Sequence, residues 1–225
     1  AIMTGITRVS KESVFSDLNN LVVVTTTSEQ YADCFGFTEK EVFESIEKYG
    51  MSDKKAVVKQ WYDGFTFGSL KDIYNPWSIT NFLKEKKLKP YWAATSSNAL
   101  ISRLIQGSSA EIKSLMESLV NGKSIEVNFD EQIVFNRLEK DESAIWSLLL
   151  ASGYLKVDSI VHKGITLEPW YRLSITNLET ISMFSNLFKG WFADVSSNYN
   201  EFVKALFSGD VKAMNVYMND VAMST

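Results

Sequence analysis

Residues 143–176, SAIWSLLLASGYLKVDSIVHKGITLEPWYRLSIT, carry the pattern that decides the fold of the central part of the chain. The first part is almost wholly apolar over a helical length, which predicts a buried helix from Ser143 to Tyr154. Two runs rich in β-branched and aromatic residues come next, LKVDSIVH and GITLEPWYRLSI, and they are separated by Lys163-Gly164. This composition predicts a helix followed by a β-hairpin.

The residues before this stretch extend the pattern. We predict a helix from Asn98 to Leu119, a short strand at SIEVNF and a helix from Asp130 to about Leu138. Helix, strand, helix, helix, strand, strand is the order of a winged helix, so residues 98–176 are predicted to form a winged-helix-like module. The helix before its hairpin is nearly all apolar, whereas a helix that enters a DNA major groove exposes polar and basic side chains. The sequence therefore argues against nucleic-acid binding by this module.

Residues 28–97 read as mainly helical. Thr38 followed by Glu41 predicts a capped helix start, and Asn75-Pro76 predicts another, with proline in the first turn. Between them, WYDGFTFG (61–68) places two glycines among four aromatic residues. These rings either pack the segment onto a core or form an aromatic pocket for a planar group such as an adenine base, and packing is the simpler interpretation.

The first and last segments are predicted from similar signals. Residues 1–27 read as strand, turn, helix and strand, with a β-branched second strand from Leu21 to Thr26. Such a unit normally forms a parallel crossover, whose first strand ends at the crevice where ligands bind. Thr4 and Arg8 lie at that strand end. Residues 177–225 are predicted to be helical, so the whole chain is predicted to be α+β and predominantly helical.

Composition limits the possible functions. The 225 residues include 23 basic and 27 acidic side chains, a formal net charge of -4, which gives no overall attraction to nucleic acid. A single cysteine, Cys34, excludes an internal disulfide and fits a reducing compartment, so we expect a cytoplasmic protein. No apolar run reaches the ~18 residues of a membrane span. Cys34 is predicted to be a small packed residue.

Several apparent motifs do not predict catalysis. The chain has one histidine, His162, so a histidine-pair metal site and a conventional serine triad built on a second histidine are excluded. NGKS at 121–124 lacks the earlier glycine of a phosphate-binding loop and follows a helix instead of a strand. Asp130-Glu131 and Asp141-Glu142 stand where helices are predicted to begin, where the helix dipole favours acidic side chains.

Five strings are distinctive in their order and separation: TGITRVSKESVFSDLNNL (4–21), FGFTEKEV (35–42), WYDGFTFG (61–68), IYNPWSI (73–79) and YWAATSSNALI (91–101). In this order they resemble the AAA-ATPase-like proteins of bacteria, which resemble P-loop ATPases. The match runs from Ala1 to about Ile105 and continues more loosely through ASGYLKV (151–157) and YRLSITN (171–177).

The resemblance implies that this sequence is the middle of a longer protein. The family has Walker A and Walker B motifs upstream and often a restriction-endonuclease-like nuclease domain downstream, and no position of these 225 residues matches either. The implied parts are a remnant of the ATPase core (1–27), a helical lid (28–97), the winged-helix-like module (98–176) and a C-terminal helical segment (177–225). The implied partners are the missing ATPase core and the possible nuclease domain of the parent protein.

The resemblance also implies roles for two residues. Thr4 matches the polar strand end that senses the γ-phosphate in P-loop ATPases, and Arg8 could contact a phosphate. The alternatives are strand termination for Thr4 and a surface ion pair with Glu12 for Arg8. The implied function is a nucleotide-dependent switch that uses ATP and Mg²⁺ in the full-length parent, while this chain alone holds no cofactor and is inactive. The alternative is an interaction or scaffold module with vestigial ATPase ancestry.

Overall fold

The computed structural model describes residues 22–93, 98–131, 141–189, 205 and 208–224. Thr4 and Arg8 lie outside the described residues, as does most of the helix predicted from Asp130 to Leu138. The chain forms two compact units, one that ends at Met183 and one that begins at Phe184.

The first part of the larger unit surrounds a small antiparallel sheet with the strand order β1-β3-β2. Phe37 pairs with Tyr74 across β1 and β3, and Phe65 pairs with Ile73 across β2 and β3. Its elements are β1 (Phe37–Thr38), α1 (Glu39–Lys48), a 3-10 turn (Ser52–Lys54), α2 (Lys55–Tyr62), β2 (Phe65–Phe67), β3 (Leu70–Tyr74) and α3 (Pro76–Glu85).

Both helix starts predicted in this region are confirmed. Thr38 and Glu41 form a reciprocal capping box at the start of α1. The Asn75 side chain accepts hydrogen bonds from the backbone N–H groups of Trp77 and Ser78, and Pro76 occupies the first turn of α3. The caps satisfy backbone donors that the helices cannot satisfy themselves, which fixes where α1 and α3 begin.

One hydrophobic core holds the three helices and the sheet together. Tyr62 at the end of α2 and Tyr74 at the end of β3 are both fully buried in it. Burial of each large apolar side chain stabilises the fold by about 1.5–3 kcal/mol. The other buried members are Val42, Ile46, Met51, Val58, Ile79 and Phe82.

The second part of the larger unit contains an antiparallel sheet with the strand order β4-β6-β5. Ile125 of β4 pairs with Leu173 of β6, and the β5–β6 ladder runs from Leu155↔Ile175 to Lys163↔Glu168. Its elements are α4 (Ala99–Gln106), α5 (Ala110–Val120), β4 (Ile125–Val127), α6 (Ala144–Ala151), β5 (Leu155–Lys163) and β6 (Glu168–Ile175).

The structure has the helix and the hairpin predicted from residues 143–176, although α6 is shorter than predicted and β6 begins at Glu168 instead of Gly164. Trp146 and Leu149 of α6 are buried, and Gly164 turns the hairpin with a positive φ of 73°. The single helix predicted from Asn98 to Leu119 is wrong, because α4 ends before Gly107 and the Ser109 hydroxyl accepts a hydrogen bond from the Ile112 N–H to start α5. The capping serine therefore divides one apolar periodic run of the sequence into two helices.

The strand predicted from Leu21 to Thr26 is absent from the described part of that range. Residues 22–25 form no regular element, Thr26 and Thr27 lie in a turn, and Val22 is 73% exposed. β-Branched residues favour strands through packing against neighbouring strands, and no strand of the described residues pairs with this run.

Helix α7 occupies residues 178–189, and α8 (Val211–Ser224) belongs to the smaller unit. Within that unit the rings of Phe184 and Phe188 lie 6.1 Å apart. Helices combined with two small antiparallel sheets make the fold α+β, as predicted. Among the helices of the described ranges, none has both the length and the apolar character needed to cross a membrane.

Candidate functional site

A cavity of about 590 Å³ lies in the larger unit, within the size range of small-molecule pockets. Both sheets contribute to it: β2 supplies Phe65, Thr66 and Phe67, and the start of β5 supplies Leu155. Helices α3, α4 and α6 complete the lining, together with loop residues that include Phe35, Trp92 and Gly153. The described residues that line the cavity include no charged side chain.

Five aromatic rings follow one another along the lining. The Phe35 ring lies 6.3 Å from Phe67, and Phe67 lies 5.9 Å from Phe65. Phe65 meets Trp92 edge to face at 6.0 Å, and Trp92 lies 5.1 Å from Tyr154. These centroid separations are within the range in which aromatic pairs attract each other, so the rings hold one another in place.

Backbone geometry brings the two parts of the lining together at Gly153. Phe65 and Phe67 are two positions apart on β2 and therefore point to the same side of the sheet. Gly153 follows α6 with a φ of 78°, and a Cβ atom there would lie 2.5 Å from Cε1 of Phe65. Only glycine combines this conformation with so close an approach of the ring.

Trp92 is held by a buried carboxylate. Oε1 of Glu179 accepts hydrogen bonds from the backbone N–H groups of Trp92 (2.6 Å) and Ala93 (3.2 Å). Oε2 accepts a hydrogen bond from the Ser78 hydroxyl at 2.8 Å. Burial raises the pKa of Glu179, and the three donors act in the opposite direction by stabilising its charge.

Two asparagines supply polar groups to the cavity. Oδ1 of Asn75 accepts hydrogen bonds from the N–H groups of Trp77 and Ser78 at the start of α3, which leaves its Nδ2 as a donor. Asn98 accepts a hydrogen bond from the Tyr154 hydroxyl at 3.0 Å. The site is therefore apolar with a few oriented polar groups, an arrangement that can bind an uncharged ring.

A second polar cluster surrounds Lys59. Its Nζ contacts Glu39, lies 3.6 Å from Asp72 and 4.0 Å from Asp63. Burial, followed by the neighbouring Asp72, raises the pKa of Asp63 to about 6. Oδ1 of Asp63 is buried and accepts no hydrogen bond within the described residues. In the same part of the chain, no group of three or more His, Cys, Asp or Glu residues is placed to hold a metal ion.

Glu131 makes a contact that its sequence position does not predict. Its Oε2 accepts hydrogen bonds from the hydroxyl groups of Thr27 (2.6 Å) and Thr25 (3.1 Å), about one hundred residues away. The sequence pattern indicates only an acidic residue at a helix start. The threonine pair carries no periodic signal that could have predicted this contact.

The structure divides the residues of WYDGFTFG between two environments. Phe65 and Phe67 line the cavity, whereas Tyr62 is buried in the core and Trp61 packs against it. Sequence reasoning does not single out Glu179 or Asp63, because an isolated acidic residue in an apolar segment usually lies at the surface.

Cys34 and His162 lie apart from the cavity lining. The prediction that Cys34 is packed is wrong, because it is exposed. A hydrogen bond to Asp33 raises the pKa of its thiol, which disfavours the reactive thiolate. His162 lies near the end of β5 and is exposed, as expected of a hairpin residue.

Comparison with known proteins gives one distant relative. An uncharacterized protein in the vnfD 5' region of Azotobacter chroococcum mcd 1 is 25% identical to this chain over 179 residues. The alignment covers 80% of this chain and 32% of that protein, so the chain spans about a third of the length of this curated relative. No family model matches the chain. No solved structure matches it either.

Proposed function

We propose that this chain is the middle portion of an AAA-ATPase-like protein and acts there as part of a nucleotide-dependent switch. In this proposal residues 1–27 complete the ATPase core, residues 28–97 form its lid, and residues 98–176 form a winged-helix-like module. The parent protein binds ATP and Mg²⁺, whereas this chain alone binds neither of them. We place the protein in the cytoplasm because its single cysteine fits a reducing compartment.

The observation that carries the proposal is where the resembling strings lie. FGFTEKEV supplies Phe35 to the cavity, WYDGFTFG supplies Phe65 to Phe67, and IYNPWSI supplies Asn75. YWAATSSNALI and ASGYLKV supply Trp92 and Tyr154. Strings that are far apart in the sequence thus form one site, which is what a shared function of these strings requires.

Few hydrogen bonds connect the lid-like segment to the residues just after β6. The Gly64 N–H donates to the Thr176 carbonyl at 3.4 Å, and Nδ2 of Asn177 donates to the Tyr62 carbonyl at 3.4 Å. Glu179 adds the three bonds described above. In this proposal the switch acts by changing these contacts, as in hinge and shear transitions of other proteins.

The sheet order β4-β6-β5, with the hairpin at one edge and a short earlier strand at the other, supports the winged-helix-like assignment. Helix α6 is buried along nearly its whole length. Because a buried helix exposes no side chains to a groove, the module is better suited to protein contact than to nucleic-acid contact.

The experiment for this proposal begins with the chain by itself. Titration calorimetry of the 225-residue chain with ATP and Mg²⁺ is expected to show no binding in the micromolar range, because NGKS at 121–124 lacks the earlier glycine of a phosphate loop. Micromolar binding would contradict the proposal. The sequence of the complete reading frame is the companion test, and a phosphate loop upstream of Ala1 is the expected result.

The full-length parent then tests Thr4 and Arg8. If Arg8 stabilises charge that develops during phosphoryl transfer, Arg8→Ala lowers ATP turnover more than nucleotide affinity. Thr4→Ala is expected to lower turnover by misplacing the attacking water. Glu12→Arg is the control for the alternative ion pair: normal turnover in Arg8→Ala combined with a lower melting temperature in both Arg8→Ala and Glu12→Arg would make Arg8 structural.

One feature favours the alternative, a protein-interaction module with vestigial ATPase ancestry. The β5–β6 hairpin exposes four aliphatic side chains, two in β5 and two in the turn, where Ile165 is fully exposed. Clusters of exposed apolar residues often mark protein contacts, and Ile165 and Leu167 lie two residues apart in the turn. A reading frame without a phosphate loop would favour this function over the switch. The other three exposed aliphatic side chains of the hairpin are Ile160, Val161 and Leu167.

A further inference from the structure

The lining of the cavity disfavours a charged ligand. An ionised group that enters it would lose its hydration, and no lining side chain of the described residues carries an opposite charge to compensate. A phosphate or carboxylate group is therefore disfavoured inside this cavity, independently of whether the parent protein binds a nucleotide elsewhere.

The shape of the lining favours a flat ring system. Phe65 and Phe67 stand on β2, and Trp92 and Tyr154 continue the row of rings. Each favourable ring–ring contact adds about 0.5–1.5 kcal/mol beyond the burial of apolar area. A planar aromatic ligand can contact several of these rings at once, whereas a branched aliphatic ligand cannot use the same geometry.

Asn75 adds a hydrogen-bond donor that a ligand in the cavity must match with an acceptor. Its Oδ1 is occupied by the start of α3, and its Nδ2 makes no hydrogen bond within the described residues. Because Asn75 lines the cavity, a ligand that carries a carbonyl oxygen or a ring nitrogen could accept this donor. The amide orientation is fixed by the helix cap, so the donor is positioned before any ligand arrives.

Trp92 is positioned in advance as well. Its backbone N–H is held by Glu179, and its ring lies between Phe65 and Tyr154. A binding site whose side chains are already ordered does not lose their conformational entropy when the ligand binds. Such preorganisation is typical of specific ligand sites.

From these observations we infer that the cavity is a binding site for an uncharged, planar aromatic molecule that carries a hydrogen-bond acceptor. Its volume of about 590 Å³ accommodates a ligand of several fused rings. Phe65 and Trp92 contact the rings of the ligand, and Asn75 donates to its acceptor. This binding site lies within the present chain and does not depend on the proposed nucleotide switch.

Nile red is a suitable probe because it is uncharged, planar and aromatic, carries a ring carbonyl and fluoresces more strongly in apolar surroundings. Titration of the 225-residue chain is expected to show saturable binding with one dye per chain. Anilinonaphthalene sulfonate, an aromatic dye with a negative charge, is expected to bind at least about tenfold more weakly. Absence of Nile red binding, or equal affinity for the two dyes, overturns the inference.

Two cavity-filling variants locate the bound dye. Ala151→Phe fills the cavity from the end of α6, and Leu100→Trp fills it from α4. Each is expected to raise the Kd for Nile red at least about tenfold, because the new ring occupies the ligand volume. Ala213→Phe adds the same ring at an exposed position of α8 and should leave the Kd unchanged.

Circular dichroism of each variant separates loss of binding from loss of fold. Two variants on different helices are used so that the result does not depend on one of them folding. Unchanged dye binding in a folded cavity-filling variant, or an equal loss in Ala213→Phe, overturns the inference. Loss of binding in every cavity-filling variant that folds, with the control unaffected, supports it.

Discussion

At the scale of single residues, Glu179 is a buried polar group whose position is fixed by hydrogen bonds. It is fully buried, and within the described residues it is bonded to three donors and to no lysine or arginine. A buried carboxylate is tolerated only when such donors replace its water. Glu179 therefore connects α7 to α3 and to the segment around Trp92 by hydrogen bonds. An apolar side chain at position 179 could not accept these bonds.

We expect Glu179→Leu to lower the free energy of unfolding by about 2–5 kcal/mol, because it leaves buried donors of Ser78, Trp92 and Ala93 unpaired. Glu179→Gln keeps one oxygen for the two backbone N–H groups and should cost less. Urea denaturation measures both values. Glu44→Gln, on the exposed side of α1, is the control and should change stability by less than about 0.5 kcal/mol. A Glu179→Leu protein as stable as the wild type would contradict the assigned role.

Asp63 gives stability a pH dependence of defined sign. Its pKa is raised in the folded protein from an ordinary 3.8 to about 6, so the folded state binds this proton more tightly than the unfolded state. Stability contributed by the protonated group is therefore lost as the pH rises through about 6. We expect wild-type stability relative to Asp63→Asn to fall between about pH 4 and pH 7.

Urea denaturation at a series of pH values tests this expectation. Asp53→Asn is the matched control, because an exposed hydrogen bond with Lys54 lowers the pKa of Asp53. The stability that this lowered pKa contributes is largely present above the ordinary Asp pKa of 3.8, so the stability difference between wild type and Asp53→Asn should change little from about pH 5 to pH 7. A constant difference for Asp63→Asn as well would show that Asp63 titrates as an ordinary carboxylate.

At the scale of elements, the central helix and hairpin were predictable and several other features were not. The apolar run of α6 and the glycine at position 164 are local signals, and the structure has the helix and a hairpin turn that begins at Gly164. The helix caps at Thr38 and Asn75 are local as well. The division between α4 and α5 depends on one capping serine, Ser109. The predicted strand at residues 22–26 is absent because no strand of the described residues pairs with it. The periodic pattern of apolar residues contains neither piece of information.

The burial of helix α6 can be tested by a substitution at Leu149. Leu149 is 0% exposed, and Leu149→Ala is expected to lower the free energy of unfolding by about 2–5 kcal/mol through lost apolar contact and the cavity left behind. Thermal or urea denaturation measures the change. Ile165→Ala at the exposed hairpin tip should have little effect, since no packing is lost there. An unchanged midpoint in Leu149→Ala would mean that α6 is not a core helix.

At the scale of the whole molecule, the pattern of helical and strand segments predicted the α+β class, and the structure has it. The cavity was only partly predictable. WYDGFTFG suggested two alternatives, an aromatic pocket or packing onto a core. In the structure Phe65 and Phe67 line the cavity, whereas Tyr62 is buried in the core. Trp92, Gly153 and Glu179 join the site through contacts between distant parts of the chain, and such contacts leave no spacing in the sequence.

The exposure of Cys34 has a practical consequence. It is the single cysteine of the chain, so a thiol-reactive fluorophore or spin label attaches at one position without any engineered substitution. Because its pKa is raised, the reaction needs mildly alkaline buffer to generate the thiolate. The adjacent residue, Phe35, lines the cavity, which makes the natural thiol a ready attachment point for a spectroscopic reporter of whether the cavity is empty or filled.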